Sequence, residues 1–151
     1  MTKFVLALLA IAALGLAYIR LAPMDPGTWH ANPERGTRTG KPNDYLLGPG
    51  GDREALTSDL PPAELAARID TVAMAEPRTN RLAGDPASGH VTYVQRSRAM
   101  GFPDAISVRT VPDGDGSRLM VWSRSRYGQS DLGVNAARVW RWLAAADLDA
   151  R

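Results

Sequence analysis

Three patterns of apolar and polar positions divide the chain. From Phe4 to Ile19, FVLALLAIAALGLAYI, no charged residue interrupts an apolar run bounded by Lys3 and Arg20. With Leu21 and Ala22 added beyond Arg20, whose side chain can snorkel, the run approaches the roughly 20 residues that span a bilayer. This pattern predicts a membrane anchor over residues 1–22. Gly15-Leu16-Ala17 offers a small-x-small cleavage pattern, so a signal peptide is the alternative, although Tyr18, Arg20 and the apolar flanks fit it poorly. A buried helix of a soluble protein is the third reading. Lys3 and the amino terminus favour the cytoplasmic side for the start of the helix, while Arg20, Arg35 and Arg38 follow on the other side.

The second pattern is punctuation. Pro23, Pro26, Pro33, Pro42 and Pro49 alternate with Gly27, Gly36, Gly40, Gly48, Gly50 and Gly51. Such spacing rules out long regular elements and predicts an extended tether over residues 23–57. Asn43 to Leu47, NDYLL, reads as a short edge strand within it. Gly48-Pro49-Gly50-Gly51 is a turn that lacks the Lys-Ser/Thr ending of a phosphate-cradling loop.

The third pattern, over residues 58–151, is that of one small domain. Leu65, Ile69, Val72 and Ala73 recur at helical spacing after Pro61-Pro62, with Ser58 or Asp59 placed to cap. Strands are predicted for Val91 to Ala99, Ile106 to Val111 and Arg118 to Tyr127, with a shorter one around Thr79 to Leu82. Pro112 to Ser117, PDGDGS, is the turn between the last two long strands. Its glycine spacing, and Arg124 where a bidentate glutamate is needed, exclude a calcium loop. Alternation then sorts the side chains. One face gathers Val91, Tyr93, Ile106, Val108, Leu119, Val121, Ser123 and Ser125. The other gathers Arg96, Arg98, Ser107, Arg109, Met120, Trp122, Arg124 and Arg126. With Val111 opposite Arg118, Arg109 faces Met120 and Ser107 faces Trp122. After Gly128 bends the chain, Ser130 or Asp131 is placed to cap a second helix, on which Asn135, Val139, Trp142, Leu143 and Ala146 share one side. The expected fold is α+β. It has an antiparallel sheet of three to four strands with two amphipathic helices on one face, preceded by the membrane helix and the tether.

Composition changes this picture in two ways. The absence of cysteine removes disulfides, thiolate catalysis and zinc-thiolate sites together. A formal charge of only +2 speaks against nucleic acid as a partner.

Candidate chemistry is sparse. His30 lies in the tether and His90 just before a strand, which makes a poor metal site, and no cofactor is expected. No G-x-S-x-G elbow surrounds Ser123, Ser125 or Ser130. A hydrolase using Ser125 or Ser130 with Asp131 is therefore the alternative function and not the first. Ser123, Ser125, Ser130, Asp131 and Asn135 read instead as a structural motif that locks strand to helix. Arg96, Arg98, Arg109, Arg124 and Arg126 are the anion-binding candidates, because arginine forks suit carboxylate and phosphate groups. The competing reading is a solvated strand face paired with Asp104, Asp113 and Asp115.

EPRTNRLAGD, TYVQRSRAMGFPDAISVR and SRSRYGQSDLGVNAARVWRWL together resemble a bacterial family catalogued as domain of unknown function 1499. The resemblance runs from about Pro42 to Leu143. In that family an aromatic or apolar residue often replaces Gln129, and arginine often stands where this chain has Ala136. The resemblance implies a small domain common in exported or membrane-associated bacterial proteins, with no established activity and no catalytic residues to carry over. The combined expectation is a single-pass protein of the bacterial inner membrane with a periplasmic domain. That domain is a non-catalytic binding or assembly module whose arginine face takes an anionic lipid or metabolite.

Overall fold

The computed structural model describes residues 1–148, so residues 149–151 of the expected domain lie outside the described residues. The apolar run forms helix α1, Thr2–Leu21, rich in the strong helix formers alanine and leucine. It is long and apolar enough to cross a membrane, with a mean hydropathy of 2.3. Its side chains are exposed except at Leu16 and Ile19 in the last turns, which are half-covered. Ala22 leaves the helix and Pro23 prevents its continuation.

Residues 44–125 supply a six-stranded antiparallel sheet. Its strands are β1 (Asp44–Leu47), β2 (Leu56–Ser58), β3 (Thr79–Asp85), β4 (His90–Arg96), β5 (Pro103–Asp113) and β6 (Gly116–Ser125). The order is β1-β6-β5-β4-β3, with β2 also pairing β6. The two short strands share one edge of β6, Asp44 opposite Arg124 and Leu56 opposite Leu119. The expected three to four strands omit β2, and the expected edge strand at NDYLL is β1. In the β5–β6 hairpin Val111 lies opposite Arg118, Arg109 opposite Met120 and Ser107 opposite Trp122, as alternation and the turn require.

Two further helices join this sheet. Helix α3, Pro62–Ala75, starts on proline without a side-chain cap, because the Ser58 hydroxyl accepts from the Leu60 amide instead. Helix α4, Val134–Ala145, begins after Gly133. Leu65, Ile69 and Ala73 of α3 share one apolar core with Val139, Trp142 and Leu143 of α4 and with Val91, Tyr93, Ile106, Val108, Leu119 and Val121 of the sheet. Full burial of each large side chain contributes about 1.5–3 kcal/mol.

The second sheet face differs from the expected open arginine surface. Thr92, Ala105, Ser107, Met120 and Trp122 on it are buried, and Met24, Trp29, Val94 and Leu82 pack together there. The cover is the stretch between α1 and β1. In place of an extended tether, this stretch contains the short helix α2, Pro26–Trp29, and lies across the strands as a strap. Residues 23–57 therefore contribute a layer and two strands to the domain. Proline and glycine set the bends, and side chains of the sheet hold them.

Candidate functional site

Arginine bonds to backbone carbonyls hold the strap in place. Arg124 on β6 donates to the Trp29 carbonyl at 2.7 Å and to the Ser107 hydroxyl at 2.9 Å. Its guanidinium lies over the Trp122 ring at 4.2 Å and the Trp29 ring at 5.5 Å, stacking that suits its planar, weakly hydrated charge. Burial pulls its pKa down to about 10, opposed by the nearby Asp44 charge, so it stays a cation at neutral pH. Asp44 accepts from the Trp122 indole at 2.9 Å and from Arg38 at 2.6 Å.

The other four candidate arginines are spread along the sheet. Arg96 donates to the carbonyl of Ala22, just beyond α1, at 2.8 Å and to that of Ile19 at 3.4 Å, which also accepts from the Ala22 amide. Arg126 donates to the Pro23 carbonyl and lies over the Tyr127 ring. Arg109 faces Glu34 of the strap at 3.7 Å. Arg98 is exposed. They do not converge on one open surface, because covering the sheet recruits Arg96, Arg109, Arg124 and Arg126 to the strap and to α1. The competing carboxylates are elsewhere too: Asp104 is buried, and Asp113 and Asp115 are exposed around the β5–β6 turn.

Ser123, Ser125 and Asn135 belong to a buried polar network on the helix-covered face. The Ser123 hydroxyl donates to Asn135 Oδ1 at 2.6 Å, and the Asn135 amide donates to Ser125 Oγ at 3.0 Å and to the Asn43 carbonyl at 3.1 Å. Arg138, only 4% exposed, completes it. Its guanidinium donates to Ser123 Oγ at 2.8 Å, Asn135 Oδ1 at 2.6 Å, Gln95 Oε1 at 2.7 Å and Asp104 Oδ2 at 2.6 Å. Gln95 in turn donates to Glu76 at 3.0 Å, and Arg141 donates to the same carboxylate at 2.7 Å. Those bonds, Arg141 first, hold the Glu76 carboxyl below its ordinary range against the opposing cost of burial. The buried Arg138–Asp104 pair meets the demand that a buried charge be matched, and the Arg141–Glu76 pair closes the network at its exposed rim. Sequence reasoning missed Arg138, although it stands three residues after Asn135 and four before Trp142, on the buried face.

This arrangement leaves the serines occupied. The Ser130 hydroxyl accepts from the Leu132 amide at 3.2 Å. Asp131 accepts from the amides of Gly133 at 3.1 Å and Asn135 at 2.8 Å, serving the first turn of α4 from outside the helix. Among the described residues no serine is hydrogen-bonded to Asp131. The intervening Leu132 is held in the left-handed region at φ 53°, with its side chain 93% exposed.

Two other features stand apart. His30 of the strap and His90 of β4 stack with ring centroids 4.0 Å apart. His30 Nδ1 shares a hydrogen bond with Thr92 Oγ1 at 2.9 Å, and His90 Nε2 meets the Ala31 carbonyl at 3.2 Å. No group of three histidine or carboxylate side chains among the described residues is arranged to hold a metal. At the opposite end of the sheet from α1, an open cleft of about 1110 Å³ is lined by Asp52, Glu54, Asp59, Asp113, Asp115 and Asp147, with Arg53 and Trp140.

No curated protein matches the chain. Residues 37–145, which hold the sheet, both packed helices and the Asn135–Arg138 network, match a family described as "Protein of unknown function (DUF1499)". The chain belongs to the DUF1499 family.

Proposed function

We propose that the protein is a single-pass membrane-anchored module that binds or assembles partners without catalysing a reaction, with its domain on the periplasmic side of a bacterial inner membrane. The observation that carries this reading is the joint between α1 and the sheet. Arg96 donates to the carbonyls of Ile19 in the last turn of the apolar helix and of Ala22 just beyond it, and Arg20 donates to the Ala99 carbonyl at 3.0 Å. A signal peptide would be removed from what it guides. Here the end of the apolar helix is part of the folded body, which favours a retained anchor and a domain of fixed attitude. In this orientation Lys3 and the amino terminus lie on the cytoplasmic side, and Arg20, Arg35 and Arg38 on the periplasmic side. The hydroxyls of the serine-rich string are engaged in structural bonds, which favours binding over hydrolysis. The anionic partner of this reading falls to cations outside the strap-covered face.

Carbonate extraction of membranes tests the anchor. The full chain should remain with the pellet, and a soluble chain beginning after Ala17 would overturn the reading. Protease added to spheroplasts should cut the exposed segment around Asp52 to Glu54, whereas cutting only after lysis would place the domain inside. A serine-reactive probe should leave the protein unlabelled. Labelling that disappears in Ser125→Ala or Ser130→Ala would restore the hydrolase.

A further inference from the structure

Charge is segregated along the strands. The end of the sheet from which α1 emerges is built from the β4–β5 loop (97–102), the β6–α4 loop (126–133), the turn before β3 and the end of the strap. It carries Arg20, Lys41, Arg78 and Arg98, all exposed, and Arg126, half-exposed. Of the carboxylates near that end, Glu76 is paired with Arg141 and Asp104 with Arg138, while Asp131 and Asp25 accept from neutral donors and keep their charge, so the five cations outnumber them. The opposite end carries the acidic cleft, whose carboxylates outnumber Arg53 within it and Arg118 beside the β5–β6 turn, and, at the end of β3, Asp85.

Apolar side chains stand out at the same cationic end. Met100 is 42% exposed and Leu132 is 93% exposed. Phe102 and Tyr127, with ring centroids 6.0 Å apart, join the two loops that carry them. The Arg20 bond to Ala99 sets the β4–β5 loop against the final turn of α1.

We propose that this loop end docks on the surface of the bilayer that α1 spans, its cations on anionic lipid headgroups and its Met100 and Leu132 side chains in the interface. The proposal rests on the anchor reading above. The surface is continuous with the helix that enters the membrane, so no separate encounter is required. An anionic leaflet attracts Lys41, Arg78 and Arg98 and repels the acidic far end, which orients the sheet away from the membrane. Aromatic and long basic side chains at the level where a spanning helix ends are the usual residents of that interface.

The test uses the full chain, whose lack of native cysteine makes single thiol labels specific. Leu132→Cys, Met100→Cys and, at the far end, Asp113→Cys are labelled with a fluorophore. The chain is then reconstituted in phosphatidylcholine vesicles with and without phosphatidylglycerol. In the anionic vesicles the labels at 132 and 100 should lose several-fold of their accessibility to an aqueous quencher, while the label at 113 keeps its own. High salt, or Lys41→Gln with Arg98→Gln, should restore access. Those two side chains form no hydrogen bond or ion pair among the described residues, so the fold is left intact. Flotation of the same samples separates the two readings. A chain that does not float with vesicles overturns the anchor and the docking together. A floating chain whose labels stay fully quenched, or are shielded equally without the anionic lipid, overturns the headgroup docking alone.

Discussion

Arg138 is the residue on which the buried polar network depends. It shares hydrogen bonds with Ser123, Asn135, Gln95 and Asp104, and truncating it leaves Gln95 Oε1 and Asp104 Oδ2 without their side-chain partner, while Ser123 and Asn135 keep each other. Arg138→Met should cost about 3–5 kcal/mol, chiefly by leaving Asp104 as an uncompensated buried charge. Thermal unfolding of the detergent-solubilised chain, followed by near-ultraviolet circular dichroism, measures this. Adding Asp104→Leu to Arg138→Met should recover much of the loss, because a matched apolar pair carries no desolvation penalty. A double variant no more stable than the single would place the energy in the serine and asparagine bonds. The signal for Arg138 was present in the spacing of Asn135, Arg138 and Trp142. It was obscured because an arginine on a helix is ordinarily solvated, and only the position of Asp104 across the sheet makes burial affordable.

At the scale of elements, the strap is fitted closely to the sheet. A Cβ at Gly36 would overlap the Trp122 indole, which is itself held by Asp44 and stacked on Arg124. Gly36→Ala should therefore cost about 1–3 kcal/mol as an overpacking strain and shift the tryptophan fluorescence. The His30–His90 stack pins the strap at the other end of β4 and responds to acid. Burial lowers the His90 pKa below its ordinary 6.5, against the Ala31 hydrogen bond that raises it and with His30 and Arg109 adding to the lowering. Asp85 and Arg109 flank His90 in the ladder, and Glu34 offsets Arg109. The unfolded chain then takes up the proton at higher pH than the folded one. Stability should be full above the ordinary histidine range and fall as pH drops through it. Melting temperatures measured across that range should decline, and His90→Gln should flatten the decline. Alternation made β4, β5 and β6 legible, together with the register of the β5–β6 hairpin, and helical spacing did the same for α3 and α4. The strap was not legible, because its ordering comes from arginines more than sixty residues away in sequence bonding to carbonyls. Carbonyls carry no side-chain pattern. Arg96, Arg109 and Arg124 share the strap-covered face, where Arg96 and Arg124 bond backbone carbonyls and Arg109 faces Glu34, whereas Arg98 and Arg126 lie in the loops beyond β4 and β6.

At the scale of the whole molecule, the two ends differ in charge while the middle is sealed by helices on one side and the strap on the other. The acidic end belongs to surface and not to core, since Asp113 and Asp115 are exposed beside the β5–β6 turn. Asp113→Lys with Asp115→Lys should leave the melting temperature unchanged, within about 0.5 kcal/mol of stability. A larger loss would mean that the turn itself depends on those carboxylates. The strap also has a consequence for the order in which the protein is made. Arg126 reaches back to Pro23 across 103 residues, and Arg124 to Trp29 across 95. The segment that follows α1 is synthesised early, yet the strand that holds it, β6, is synthesised late. Such long-range closure is intrinsically slow, because the loop entropy is spent before the contacts form. While the chain is being extended, Met24 and Trp29 have no completed sheet to cover, and Val94 and Ala105 lack their lid. The interval before β6 is complete is thus the period in which this protein is most open to proteases and to self-association, and the arrival of Arg124 and Arg126 ends it.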